Sequence, residues 1–215
     1  MLMDEERMAA FLHSLEEGNS GVLYEIEQEA QAGHVPIIRR EIQGLLRLLL
    51  AMKRPETILE VGTAVGFSSV FMSMHNPVPC QITTIENYEK RIPIARENFI
   101  RAGKEESIRL LSGDALELLP TLSGPYEFIF MDAAKGQYIH FLPEVLRLLA
   151  PGGTLVSDNV LQEGDILESR FAVTRRNRTI HKRMREYLYT LTHHSQLTTA
   201  VLPLGDGVTI SEKRR

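Results

Sequence analysis

The stretch Thr57-Ile58-Leu59-Glu60-Val61-Gly62-Thr63-Ala64-Val65-Gly66-Phe67-Ser68-Ser69 constrains this chain more than any other. It starts as a short apolar run of β-forming residues, breaks at a glycine turn and enters a segment compatible with a helix. A strand, a glycine turn and a helix N-terminus in that order are how an α/β sheet offers backbone N–H groups to a nucleotide-like ligand. The same order also makes an ordinary tight βα turn. A dinucleotide fingerprint needs glycine at the middle position, so that the backbone can approach a pyrophosphate. Here that position is Ala64, flanked by Gly62 and Gly66. The turn therefore suits a nucleoside without phosphates better than a dinucleotide, and NAD-dependent redox chemistry becomes the weakest of the readings.

The rest of the chain alternates around this stretch. Apolar residues at helical spacing predict helices over 4–17, 20–32 and 39–53, the first with Met8, Phe11, Leu12 and Leu15 on one face. Ser20 is placed to cap the second helix, and Pro55 ends the third. Beyond Gly66 the expected order is helix 67–74, strand 81–86, helix 88–102, strand 108–112, short helix 114–119, strand 126–132 and helix 137–149. A Pro151-Gly152-Gly153 turn, strand 154–158 and a long polar helix over about 173–192 follow. Alternation with short connections argues for a parallel sheet covered on both faces. Strands 197–203 and 207–213 flank so short a turn that they must pair as an antiparallel hairpin. With neither linker nor internal repeat in view, the expectation is one domain over 1–215, with N-terminal helices over 1–54 covering the site of a core over 55–215.

Size and composition narrow the class further. A chain of 215 residues has enough apolar content for a full core. It holds no apolar run long enough to cross a membrane, and its acidic first residues do not resemble a secretory signal. Cys80 is alone, so no internal disulfide forms, which fits a reducing, cytoplasmic setting. Cys80 itself is read as a half-buried strand-edge residue rather than a nucleophile. The net charge of −4 argues against a uniformly basic nucleic-acid binder but leaves room for a local patch.

Acidic residues fall where the predicted strands end. Glu86 closes the second strand, where a carboxylate can accept both hydroxyls of a ribose. Gly113 and Asp114 close the third, where an acid can hold an adenine amino group or simply cap the next helix. Asp132 ends the strand 126–132, and Asp158-Asn159 end the strand 154–158. If these strands are neighbours, they lie about 4.8 Å apart and their ends converge. Two carboxylates and an amide oxygen are hard donors that suit Mg²⁺ or a related divalent ion. Without His or Cys in the set, zinc is disfavoured. Lys135 stands three residues after Asp132.

The pattern Glu60-Val-Gly-Thr-Ala-Val-Gly-Phe-Ser68 resembles the first motif of S-adenosylmethionine-dependent methyltransferases, and the alternating elements resemble their seven-stranded, Rossmann-like sheet. The runs Met131-Asp132-Ala133-Ala134-Lys135-Gly136-Gln137-Tyr138 and Val156-Ser157-Asp158-Asn159-Val160 narrow this. Together they resemble the metal-dependent O-methyltransferases related to catechol and caffeoyl-CoA O-methyltransferases, from about residue 33 to the C-terminus. The resemblance implies that Asp132, Asp158 and Asn159 bind Mg²⁺ and that Lys135 is the base taking the acceptor's hydroxyl proton. It implies cofactor contacts at Gly62, Ser68, Glu86, Asp114 and Asp132, with the backbone near Ile38, and a homodimer. Ala133-Ala134 stand where the family has part of an aromatic wall, a departure that puts a flat catechol acceptor in doubt.

Residues 170–185 carry Arg170, Arg175, Arg176, Arg178, Lys182, Arg183 and Arg185, with His181 among them and no acid. Such a run is either a solvated helix face or a phosphate-tracking patch, to which Arg39 and Arg40 can add. The whole resembles the bacterial branch that methylates 5-hydroxyuridine at the tRNA wobble position, which implies tRNA as partner. A catechol-like or phenolic metabolite is the alternative acceptor. A non-catalytic RNA- or nucleotide-binding module is the reading from a different class.

Overall fold

A computed structural model describes residues 17–169 and 171–215, together with residues 7, 10, 11, 14 and 15. Its centre is a seven-stranded sheet ordered β3-β2-β1-β4-β5-β7-β6. The strands are β1 (Thr57–Val61), β2 (Gln81–Glu86), β3 (Ile108–Ser112), β4 (Tyr126–Met131), β5 (Leu149–Ser157), β6 (Leu197–Leu202) and β7 (Val208–Lys213). The first five run parallel, and β7 is antiparallel to both β5 and β6. The five parallel strands are the sheet that the alternation implied, and the hairpin folds back so that its second strand meets β5.

Seven α-helices flank the sheet among the described residues: α1 (Gly21–Ala32), α2 (Arg40–Lys53), α3 (Phe67–His75), α4 (Ile92–Arg101), α5 (Ala115–Leu118), α6 (Tyr138–Leu148) and α7 (Arg178–His193). The two-residue period of a strand sorts its side chains between two cores. Phe128 and Phe130 of β4 join Ile26, Leu46, Phe71 and Phe99 of α1–α4 in one cluster. Ile129 and Met131 join Phe141, Val145, Met184 and Tyr187 of α6 and α7 in the other. The N-terminal helices thus cover one face together with α3 and α4.

Several boundaries differ from the sequence reading, each for a local reason. The expected turn at Pro151-Gly152-Gly153 lies inside β5, where Gly152 takes φ +77° and the register to β4 slips. Glycine there admits a bulge, so the strand continues through it. Helix α4 starts at Ile92 rather than 88, with Pro93 in its first turn. Helix α7 starts at Arg178 rather than 173, after a 3₁₀ turn over Gln162–Leu167 and further turns. Ser20 occupies the cap position of α1, but its hydroxyl makes no capping bond. The predicted helix 4–17 lies largely outside the described residues, as do Met8 and Leu12, while Phe11 and Leu15 are exposed. Cys80 is buried. Among the described residues no helix is long and apolar enough to cross a membrane.

Strand β1 lies between β2 on one side and β4 on the other, so connections leave it in opposite directions and open a crevice at the carboxyl edge. Hydrogen bonds continue past the strand ends along this edge. Gly113 N–H donates to Glu86 C=O, Gly62 N–H to Ile85 C=O, Asp132 N–H to Val61 C=O and Asp158 N–H to Met131 C=O. A side chain at Gly62 has no room: a Cβ there would stand 2.1 Å from the Asp132 carbonyl oxygen, at φ +103°. Gly62→Ala is therefore expected to cost about 3 kcal/mol or more, visible as a lower urea midpoint.

Candidate active site

The crevice is a cleft of about 330 Å³ whose walls include Gly62, Glu86, Gly113, Asp114, Ala133 and Ala134. Four of the expected cofactor residues (Gly62, Glu86, Gly113 and Asp114) thus line one cavity. Glu86 is held rigidly, since one carboxylate oxygen accepts from Ala64 N–H at 2.7 Å and the other from Tyr88 N–H at 2.8 Å. Ala64 occupies the left-handed region at φ +47° and gives its N–H to this carboxylate. That donor is therefore spent, and an acid occupies the place where a pyrophosphate would otherwise meet it. Asp114 caps α5, with Oδ1 accepting from Leu116 N–H at 2.8 Å, so its capping role coexists with a place in the cleft wall.

Two expected contacts are differently occupied. The Ser68 hydroxyl donates to Glu60 Oε1 at 2.5 Å, facing the interior. Ile38 is packed in the first core, and its carbonyl accepts from Gln43 Nε2 at 3.1 Å. Glu60 is fully buried beneath the glycine turn and also accepts from the hydroxyls of Ser69 and Thr84. Loss of hydration pushes its carboxyl up to about 7, against the pull of those three hydroxyls.

Asp132 joins the cleft to a second group of residues. Its backbone abuts Gly62, and its Oδ1 accepts from Asn159 Nδ2 at 2.8 Å. Asp158 Oδ1 accepts from the Asn159 N–H at 2.7 Å, and Asn159 sits at φ +60°, a region asparagine tolerates. Burial, then the charge of Asp132, pushes Asp158 up to about 7; burial raises Asp132 as well. The three residues read from distant strand ends therefore stand together. Among the described residues no three His, Cys, Asp or Glu side chains cluster as a metal site. A cation site here depends on Asn159 as third donor. Turning its carboxamide over puts oxygen where nitrogen now faces Asp132, so the donor chemistry fits a hard divalent ion between two mutually repelling carboxylates.

Lys135 forms an ion pair with Asp206 at 2.7 Å, and its charge acts on Asp132. Asp206 lies in the short turn between the last two strands and had no expected role, because its partner Lys135 is 71 positions away. Tyr138 was likewise quoted without a role. Its buried hydroxyl lies 3.1 Å from the Asp158 carbonyl and 3.3 Å from that of Met131, and accepts from Ala133 N–H at 3.2 Å. It ties the loops after β4 and β5 together from below. Ser157 is similarly fixed by the Tyr187 hydroxyl at 2.6 Å.

The basic segment divides in two. Arg178 donates to the carbonyls of Val173 and Phe171, Arg183 to that of Gly136, and Arg185 to that of Ile166, so these three tie down backbone. His181 is buried, with Nε2 3.1 Å from the Glu168 carbonyl. Arg175, Arg176 and Lys182 are exposed, and Arg170 lies outside the described residues. Lys182 borders a groove of about 470 Å³ between α6 and α7 that also holds His140 and Glu186. Arg39 and Arg40 are exposed at the start of α2, and the charge of Arg39 reaches Asp158.

Residues 17–214 match the family model described as O-methyltransferase. The chain belongs to the O-methyltransferase family. A catechol O-methyltransferase of Niastella koreensis is 35% identical over 144 residues, an alignment spanning 65% of each chain. A Staphylococcus aureus structure titled as a candidate caffeoyl-CoA O-methyltransferase superposes with a TM-score of 0.86 at 30% identity, covering 97% of this chain and 99% of that one. An O-methyltransferase of Bacillus cereus in complex with S-adenosylhomocysteine shares the fold, with a TM-score of 0.84 at 23% identity over 95% of this chain and 96% of its own.

Glu60 gives a pH test of the O-methyltransferase site. Its folded-state pKa of about 7 lies above the ordinary 4.5, so the folded protein binds this proton more tightly than the unfolded chain. The contribution of Glu60 to stability is full below about pH 4.5, falls as pH rises towards about 7 and stays low above it. Relative to wild type, Glu60→Gln should accordingly be more stable at pH 8 than at pH 5, as read from urea midpoints. An equal difference at the two values would mean that burial does not raise the Glu60 carboxyl.

Proposed function

We propose that this O-methyltransferase moves the methyl group of S-adenosylmethionine to a hydroxyl oxygen in a reaction that depends on Mg²⁺, and that the acceptor is 5-hydroxyuridine at the tRNA wobble position. The observation that carries the reading is Asp132, which borders the cofactor turn through its backbone and the acid pair through its side chain. A methyl donor in the cleft and a hydroxyl at the acids are neighbours in such an arrangement. The Glu86 carboxylate suits ribose hydroxyls, and the spent Ala64 N–H disfavours a pyrophosphate.

Each side chain then has a task. Asp132, Asp158 and Asn159 would hold the ion, whose Lewis acidity makes the acceptor hydroxyl easier to deprotonate. Lys135, as its amine, takes the hydroxyl proton, and the Asp206 carboxylate stabilises the ammonium that results. The acceptor oxygen forms its bond to the methyl carbon as the carbon–sulfur bond breaks, leaving neutral S-adenosylhomocysteine. Orientation of oxygen, carbon and sulfur in line supplies much of the remaining acceleration. Tyr138 contributes by keeping the loops after β4 and β5 in register.

Exposed Arg175, Arg176, Lys182, Arg39 and Arg40 support an RNA acceptor, since solvent-facing cations suit phosphates. The use of Arg178, Arg183 and Arg185 on backbone carbonyls favours a second reading, a small catechol-type or phenolic acceptor, as the name of the Niastella relative also does. Purified protein offered hypomodified tRNA beside a panel of catechols separates the two.

Removal of divalent ions with EDTA, or Asp158→Ala, should abolish methyl transfer while S-adenosylmethionine affinity stays within about threefold. Transfer that continues at the wild-type rate in chelator would refute the metal requirement. For the RNA acceptor, affinity for tRNA should fall steeply with salt. Changing Arg175 and Arg176 together to alanine should reduce the slope of log affinity against log salt by about 2. Binding that ignores salt would remove tRNA from consideration.

A further inference from the structure

We infer that Asp206 is the positioning residue for Lys135, so that the turn between β6 and β7 belongs to the catalytic apparatus as well as joining two edge strands. The inference rests on the reading of Lys135 as the proton acceptor. A lysine amine rides on four rotatable bonds and explores many positions unless something holds it. Here the Asp206 carboxylate meets Nζ at 2.7 Å, with side-chain exposures of 4% for the acid and 33% for the lysine. An ion pair between two mobile, solvated side chains would contribute little. This one has its acid buried in a turn that is itself fixed.

The turn is fixed by the segment that carries the acid pair. Leu161 N–H donates to the Asp206 carbonyl at 2.8 Å, and Val160 N–H donates to the Gly207 carbonyl at 3.0 Å. Gly205 and Gly207 take φ of +58° and +81°. A Cβ on Gly207 would stand 2.2 Å from Leu161 Cγ, so the turn lies in close contact with the chain just past Asp158-Asn159. The charge of Asp206 acts on Asp158 and that of Lys135 on Asp132. The ion pair thus ties Lys135, in the loop after β4, to a turn that is hydrogen-bonded to the segment after β5. As the amine, Lys135 keeps two N–H bonds and a lone pair; one N–H is given to Asp206, which leaves the lone pair to take the acceptor's proton.

The test uses the full chain. In wild-type protein, acetic anhydride should acylate Lys135 several-fold more slowly than exposed Lys182, as counted by peptide mass spectrometry. In Asp206→Asn that protection should disappear. Equal rates for the two lysines in wild type would overturn the inference whatever the acceptor proves to be, and would do so even if the variant fails to fold. With hypomodified tRNA and with catechol as acceptors, Asp206→Asn should lower kcat by about 10–100-fold and leave the KM for S-adenosylmethionine within about twofold. The double variant Lys135→Met/Asp206→Asn should be no slower than Lys135→Met alone. Multiplying effects would show that Asp206 acts independently of Lys135 and would overturn the inference. A wild-type protein that methylates neither acceptor would instead count against the proposed function, while the acylation rates would still decide the contact between Asp206 and Lys135.

Discussion

The close approach of Gly62 to the Asp132 carbonyl is the contact on which the site depends. It brings the end of β1 against the loop after β4 at the point where connections from the sheet diverge, and only a residue without a side chain admits it. On one side of this contact the glycine turn and Glu86 shape the cleft. On the other, Asp132 reaches Asn159 and, through it, the end of β5. The cleft and the acid pair are therefore neighbours, joined through the single residue Asp132.

That economy of space has an electrostatic consequence. Burial raises the carboxyls of Glu60, Asp132 and Asp158, and the charge of Asp132 raises the other two further. The fold answers each one differently. Glu60 is surrounded by hydroxyls of Ser68, Ser69 and Thr84. Asp132 receives an amide hydrogen bond from Asn159 and the charge of Lys135. Asp158 has the Asn159 N–H and the charge of Arg39 in its favour, opposed by Asp132 and Asp206.

Much of this was legible before any coordinates. The βα alternation implied the sheet, because parallel strands need covered faces and crossover helices. Strand-terminal acids were recognisable because the carboxyl edge is where such sheets bind. Tyr138 and Asp206 were not, since a tyrosine on a helix and an acid between two glycines have obvious local explanations. The basic run was legible as charge but not as contacts: Arg178, Arg183 and Arg185 also give guanidinium N–H groups to backbone carbonyls. Charge is a local property, but the partner of a charge is not.

The sequence by itself determined the order of strands and helices, the place of the glycine turn after the first strand, and the residue types at each strand end, all of which follow from periodicity and residue chemistry. Only the tertiary structure decided that β7 inserts between β5 and β6, that Asp206 comes under Lys135, and that one tyrosine hydroxyl serves two loops. Each of these joins segments far apart in the chain. Their geometry is set by how two cores pack against one sheet, which no short window of residues encodes.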